Sequence, residues 1–195
     1  MQVYRVKREY LLELMPQNSV TAELGVGKGN FSELICQLTK PSKHYCVDLW
    51  AVINKTVQGK YFTNQQGWDE RYQDVQDRLK KFNVEFIRDL TYNVHKHVQP
   101  KTLDWAYVDG DHSYEGCKKD LHSVNKCVKD NGFILGHDYI DHHNYSSWGV
   151  VKCVNEFVEE KGYYLTAVTK EPFPSYLICK TEDNHERIKH QLDNR

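Results

Sequence analysis

The chain has 195 residues, 39% of them hydrophobic, and a formal charge of −1 from 26 Lys and Arg against 27 Asp and Glu. That length is one domain with room for a buried core, and the balanced charge gives no bulk reason to favour nucleic acid or an anionic membrane. No apolar run is long enough to span a bilayer, and the charged start MQVYRVKREYLLELMPQ reads as no secretory signal.

In residues 1–17, Tyr4, Leu11 and Leu14 at near-helical spacing predict a helix packed on the body of the domain or, as the less favoured reading, on a second copy in a homodimer. SVTAEL (19–24) reads as a strand. NFSELICQL (30–38) follows as a helix, with Asn30 as its expected N-cap and Glu33 at the capping-box position. HYCVDLW (44–50) is a second strand. The stretch 50–68 is too long for a plain connection and is expected to act as a lid over an acceptor pocket. A helix carries Trp68, Tyr72, Val75, Leu79 and Phe82 on one face. VEFIR (84–88) and LDWAYVD (103–109) are the third and fourth strands. A helix over about 113–130 is expected to end at Gly132. FILGHDY (133–139) is a fifth strand, and WGVVKCVNEFVEEK a helix closed by Gly162. Residues 163–181 form a hairpin with no helix between its strands, and 182–195 a polar helix or tail. Six cysteines with no C-x-x-C pair are expected to be reduced, buried thiols of a cytoplasmic protein.

Strand–helix alternation predicts an α/β domain with a parallel sheet covered on both faces. Ligands of such sheets bind beyond the carboxyl ends of the strands. Those ends carry Glu23 to Gly29, Asp48, Arg88–Asp89, Asp109 to His112, and His137–Asp138. So many acids at one rim would repel one another unless something cationic or hydrogen-bond-donating sits between them.

ELGVGKGNF (23–31) is a glycine turn at the first of these ends. The dinucleotide fingerprint G-x-G-x-x-G fails at Asn30, and the phosphate loop G-x-x-x-x-G-K-[ST] fails because no Ser or Thr follows Lys28. What remains is Glu-x-Gly-x-Gly-x-Gly, at Glu23, Gly25, Gly27 and Gly29. With Asp48, Asp89, Asp109 and the terminal hairpin, it resembles the first motif and the frame of class I S-adenosylmethionine-dependent methyltransferases over residues 19–181. The resemblance implies a Rossmann-like, doubly wound, mostly parallel seven-stranded sheet ending in an antiparallel strand. It also implies S-adenosylmethionine as cofactor: the glycines under its amino-acid and ribose part, Glu23 at the methionine portion, Asp48 on the ribose hydroxyls and Asp89 at the adenine amino group.

YVDGDHSYEGCKKDL and GFILGHDY resemble the small-molecule O-methyltransferase branch, with its sugar- and antibiotic-modifying enzymes. There an acid ending the fourth strand and one after the fifth hold a divalent metal. The resemblance implies Asp109 and Asp138 as ligands, with His137 and Asp111 as further candidates, and Mg2+ or Mn2+ as the ion. Some relatives carry an acid at the position of His137, so that histidine departs from the pattern. His112 is the expected general base, with Asp111 as rival. Asp141, His142 and His143 form a polar loop over the same rim. The expected acceptor is a small hydroxylated molecule. The alternatives are a metal-independent methyltransferase using His112, a metal-dependent hydrolase built on Asp109, Asp111, His112, His137 and Asp138, and a non-catalytic cofactor-binding protein.

Overall fold

The structure is a computed structural model, and it describes residues 2–52, 64–141 and 148–195. Its elements in chain order are β1 Val3–Tyr4, α1 Arg8–Glu13, β2 Val20–Leu24, α2 Asn30–Thr39, β3 Lys43–Asp48, α3 Gln65–Leu79 and β4 Val84–Arg88. A 3-10 turn at Thr91–Lys96 precedes β5 Leu103–Val108, and α4 Tyr114–Cys127, β6 Val128–Gly136, α5 Val150–Lys161, β7 Tyr164–Thr169, β8 Tyr176–Cys179 and α6 Glu182–Asp193 complete the chain. The strands form one sheet in the order β1-β7-β8-β6-β5-β2-β3-β4. Among the described residues only β8 runs antiparallel to both its neighbours, pairing with β6 and β7. β2 pairs in parallel with both β3 and β5, so the strand order reverses beside β2, the point beyond which sheets of this kind bind their ligands.

The central strands are buried on both faces, and their side chains alternate between two cores. Ala22, Leu24, Ala106, Val108 and Ile134 face α4 and α5 through Leu121, Val124, Val154 and Phe157. Trp105, Tyr107, Phe133 and Leu135 face the opposite side, against Leu11, Leu12, Phe31, Ile35, Ile188 and Leu192 of α1, α2 and α6. A third cluster seats Trp50 and Cys46 on Val75 and Leu79 of α3.

Three expectations are corrected. The N-terminal helix is only six residues long and follows a two-residue strand that pairs with β7 as an eighth member of the sheet. Asn30 is the first helical residue, not the cap; Gly29 caps α2 with φ 73°, a left-handed value that glycine adopts without strain. Gly132 does not end α4, which stops at Cys127; Val128 then passes directly into β6. Gly132 lies within that strand because a Cβ there would meet Val128 Cγ1 at 2.5 Å and the Asp104 carbonyl at 2.6 Å. Of the two readings of the C-terminal segment, the helix is the one found, capped by the Thr181 hydroxyl and buried through Ile188 and Leu192. All six cysteines are free and buried. Among the described residues no helix is long and apolar enough to cross a membrane. Of the expected lid, 53–63 lie outside the described residues; its ends belong to the body, Trp50 fully buried and Trp68 on α3. His142 and His143 also lie outside them, and Asp141 is exposed.

Candidate functional site

The site forms where the sheet ladder runs one residue past three strands. Gly25 N–H donates to Val47 O (2.9 Å), Asp109 N–H to Leu24 O (2.7 Å) and His137 N–H to Val108 O (3.0 Å). These bonds bring the glycine turn, Asp109 and His137 side by side at one rim.

Each glycine of the turn answers a different demand. At Gly25, φ +89°, a Cβ would sit 2.0 Å from the Asp109 carbonyl oxygen, so the turn packs directly on the end of β5. At Gly29 a Cβ would meet Val75 of α3 at 3.0 Å. Gly27, φ +57°, faces open space among the described residues, with none of their atoms within 4 Å of a Cβ. Packing explains the first two, whereas Gly27 leaves a cradle that a ligand can enter.

Asp48 organises this turn. Its Oδ2 accepts from Val26 N–H (2.9 Å) and Gly27 N–H (2.8 Å), and its Oδ1 from Trp50 N–H (3.1 Å). Trp50 Nε1–H donates to Gly27 O at 3.1 Å, fastening the turn from below. A carboxylate oxygen accepts more than one hydrogen bond, so Oδ1 keeps capacity for a ligand hydroxyl. Asp89 is more fully engaged. Its oxygens accept from Leu90 N–H, Asn93 Nδ2 and His97 Nε2 at 2.7, 2.9 and 2.8 Å. His97, then Asn93, hold its carboxyl down to about 2. The expected adenine contact therefore has to share Asp89 with this local network.

Glu23 is 1% exposed and accepts a hydrogen bond from the Ser32 hydroxyl. Burial pushes its carboxyl well above the usual range, against the pull of Ser32, and the charges of Asp109 and Asp48 push the same way. His44 Nε2 lies 3.9 Å from Glu23, and the other ring nitrogen hydrogen-bonds Thr21 Oγ1 at 2.7 Å. Glu23, His44 and Cys46 come close enough to hold a metal. Burial nevertheless drives His44 down to about 3 and the Cys46 thiol well up, which keeps an imidazole neutral and a thiol protonated. We read this group as an uncharged polar pocket beneath the turn.

A second convergence lies at the ends of β5 and β6. Asp109, His137 and Asp138 each offer a ligand atom, all within 4.8 Å of one another. His137 Nδ1 is 3.3 Å from Asp138 Oδ1 and 3.9 Å from Asp109 Oδ1. Asp138 is buried and has φ +59°, a left-handed conformation that aspartate tolerates and that turns its carboxylate to the rim. His112 completes the cluster, with Nε2 2.8 Å from Asp138 Oδ2 and 3.4 Å from Asp109 Oδ1. Its ring stacks on Trp148, centroids 4.9 Å apart, while its carbonyl accepts from Gly149 N–H at 2.9 Å. Burial pulls the His112 imidazole down, but hydrogen bonds to Asp109 and Asp138 and their charges outweigh it and raise it to about 10. Burial pulls Asp138 up, and its bonds to His112 and His137 reverse that, leaving it well below the carboxylate range. His112 thus stands as a cation between two anions, and the expected repulsion at the rim is answered by histidine.

Asp111 does not join them. It is exposed, its Oδ1 accepts from Ser113 N–H at 2.8 Å, and it packs on Gly116 at the start of α4. Several residues of this neighbourhood escaped the reading of the sequence: Ser32, His44, Trp50, Trp148 and Arg8, whose guanidinium lies over Phe31. Strand register puts His44 and Cys46 beside Thr21 and Glu23, and register is not visible in one sequence.

Residues 22–139, more than half the chain, match a family model described as a methyltransferase domain. None of the curated proteins compared matches the sequence significantly. Solved structures share the fold at low identity. An rRNA methylase from Streptococcus thermophilus is 15% identical, with TM-score 0.61 over 89% of this chain and 93% of that one. A SAM dependent methyltransferase from Aquifex aeolicus is 14% identical, with TM-score 0.61 over 88% of each chain. A precorrin-6y C5,15-methyltransferase from Geobacter metallireducens is 15% identical, with TM-score 0.58 over 88% of this chain and 84% of that one.

Proposed function

The chain belongs to the methyltransferase-domain family, and from that premise we propose that it moves a methyl group from S-adenosylmethionine to a hydroxyl of a small acceptor, assisted by a divalent metal at Asp109, His137 and Asp138. The observation that carries this reading is the convergence of those three donors beside a glycine turn whose middle glycine opens on empty space. The residues fit the cofactor: Gly27 admits it, Asp48 offers Oδ1 to a ribose hydroxyl, and Glu23 lies beneath the methionine end. They also fit a divalent ion, since two carboxylates and an imidazole suit Mn2+ better than the all-oxygen shell Mg2+ prefers. When bound, the ion lowers the pKa of the acceptor hydroxyl and orients its oxygen.

In the transfer, the acceptor oxygen bonds to the methyl carbon as the carbon–sulfur bond breaks. The electron pair goes to sulfur, leaving S-adenosylhomocysteine, and the hydroxyl proton must go to a base. His112 receives it at Nε2 only when Asp109 and Asp138 are neutralised; facing two free carboxylates it already holds a proton. Trp148 keeps the ring flat over the site, and the buried, left-handed Asp138 fixes the partner of Nε2. The neighbours act on rRNA and a precorrin by name, so the shared fold does not choose the acceptor. The nearly balanced charge, −1 over the chain, favours a small hydroxylated molecule such as a sugar, a phenol or a natural product over nucleic acid.

A metal-free reading has one observation in its favour: His112 itself supplies positive charge between the carboxylates. Titration with Mn2+, followed by the loss of free-ion paramagnetic signal, separates the two. The metal reading expects binding by the wild type, weakened at least tenfold in both Asp138→Asn and His137→Ala. A folded wild type that leaves Mn2+ free removes the metal and leaves His112 acting alone, with turnover indifferent to EDTA.

A further inference from the structure

The acidic rim holds one more cation, and nothing described so far uses it. Arg8 is the first residue of α1, and its backbone N–H donates to Glu171 Oε1 at 2.8 Å, which docks it against the β7–β8 connection. The guanidinium carbon lies 4.3 Å from the centre of the Phe31 ring. Phe31 is the second residue of α2, immediately past the glycine turn, and its ring lies 4.4 Å from that of Tyr107. Tyr107 is in register with Glu23 on the neighbouring strand and stands two residues before Asp109. Arg8 is therefore fixed on the Glu23 side of the rim, between the turn and the end of β5. Among the described residues its guanidinium joins no ion pair.

A guanidinium laid on an aromatic face is held in place without using its N–H donors, and its planar fork matches a carboxylate. At this end S-adenosylmethionine carries both an α-ammonium and an α-carboxylate. Asp48 and Asp109 suit the ammonium and repel the carboxylate, which needs a cation close to the turn. Resting on the cofactor reading above, we propose that Arg8 is a cofactor-binding residue that receives the α-carboxylate of S-adenosylmethionine.

The test is calorimetry of wild type, Arg8→Met and Arg8→Lys with two ligands, S-adenosylmethionine and its decarboxylated analogue, which lacks only that carboxylate. Thermal melts check that each variant is folded. We expect the wild type to prefer S-adenosylmethionine about tenfold or more, as a charge-assisted bidentate contact warrants. Arg8→Met should lose that preference by weakening S-adenosylmethionine alone, with the decarboxylated ligand within about twofold of wild type, and Arg8→Lys should keep part of it. Equal weakening of both ligands would mean that Arg8 acts by packing on Phe31, and unchanged binding of both would mean that it faces elsewhere; either overturns the assignment. A folded wild type that binds neither ligand removes the cofactor reading and this assignment with it, whereas binding that ignores the carboxylate removes the assignment alone.

Discussion

Replacing Gly25 and Gly27 in turn with alanine separates the turn's role in packing from its role in binding. At Gly25 the new methyl would lie 2.0 Å from the Asp109 carbonyl oxygen and 2.5 Å from its carbon. Relief requires the ends of β2 and β5 to part by roughly 1 Å or more. The left-handed backbone costs about 1–2 kcal/mol for a residue with a Cβ, the overpacking about 1–3 kcal/mol, and a disturbed Asp109 N–H to Leu24 O bond about 1 kcal/mol. The total, about 3–6 kcal/mol, lowers the melting temperature by about 2–4 °C for each kcal/mol in a domain of this size. At Gly27 only the backbone cost applies, about 1–2 kcal/mol, because among the described residues no atom lies within 4 Å of the new methyl. Gly27→Ala should therefore melt only a few degrees below wild type yet bind S-adenosylhomocysteine at least tenfold more weakly, since on the proposed reading its methyl points into the cofactor's space. Urea unfolding and calorimetry read the two effects separately. A Gly27→Ala protein with wild-type affinity refutes the claim that the open space belongs to the cofactor, and a Gly25→Ala protein of wild-type stability refutes the packing argument.

Other expectations concern residues around the site. Asp120, buried beneath Gly110 with neither oxygen in a well-formed hydrogen bond, is pushed up by burial to about 7, tempered by Thr91 and the Asp111 N–H. Its folded state holds a proton that the unfolded chain releases near pH 4, so stability falls as pH rises from about 4 to 7, by up to about 4 kcal/mol from this group. Asp120→Asn should flatten that fall in urea unfolding measured across the window; an unchanged slope would assign the pH dependence elsewhere. Trp50→Phe removes the indole bond to Gly27 O. It should cost about 1–2 kcal/mol in stability and weaken S-adenosylhomocysteine further through a looser turn; wild-type affinity would show that Trp50 serves only the core. Ser32→Ala leaves Glu23 without its hydroxyl donor and should cost about 1–3 kcal/mol, measurable as a shift in the urea midpoint.

The strands and the turn were legible because their signals are local. The short, mostly buried runs VTAEL and LDWAYV, glycines at 25, 27 and 29, and a helix-free hairpin each follow from a few neighbouring residues. Asp109, His137 and Asp138 were legible as strand ends, and the sheet brought them together. Three features depended on distant partners. The two-residue β1 is a strand only because β7 lies beside it, and Gly132 reads as a helix stop until the crowding by Asp104 on the neighbouring strand is seen. His112 illustrates the same limit chemically. Its ordinary pKa suits a base, but two carboxylates, one 26 residues away in sequence, make it hold its proton.

The central claim is tested most directly by titrating S-adenosylhomocysteine into the purified, folded chain in a calorimeter, beside Gly27→Ala and Asp48→Ala. The account predicts saturable one-to-one binding by the wild type and at least tenfold weaker binding by both variants. A flat titration of folded wild-type protein, or variants that bind as tightly as it does, would contradict it.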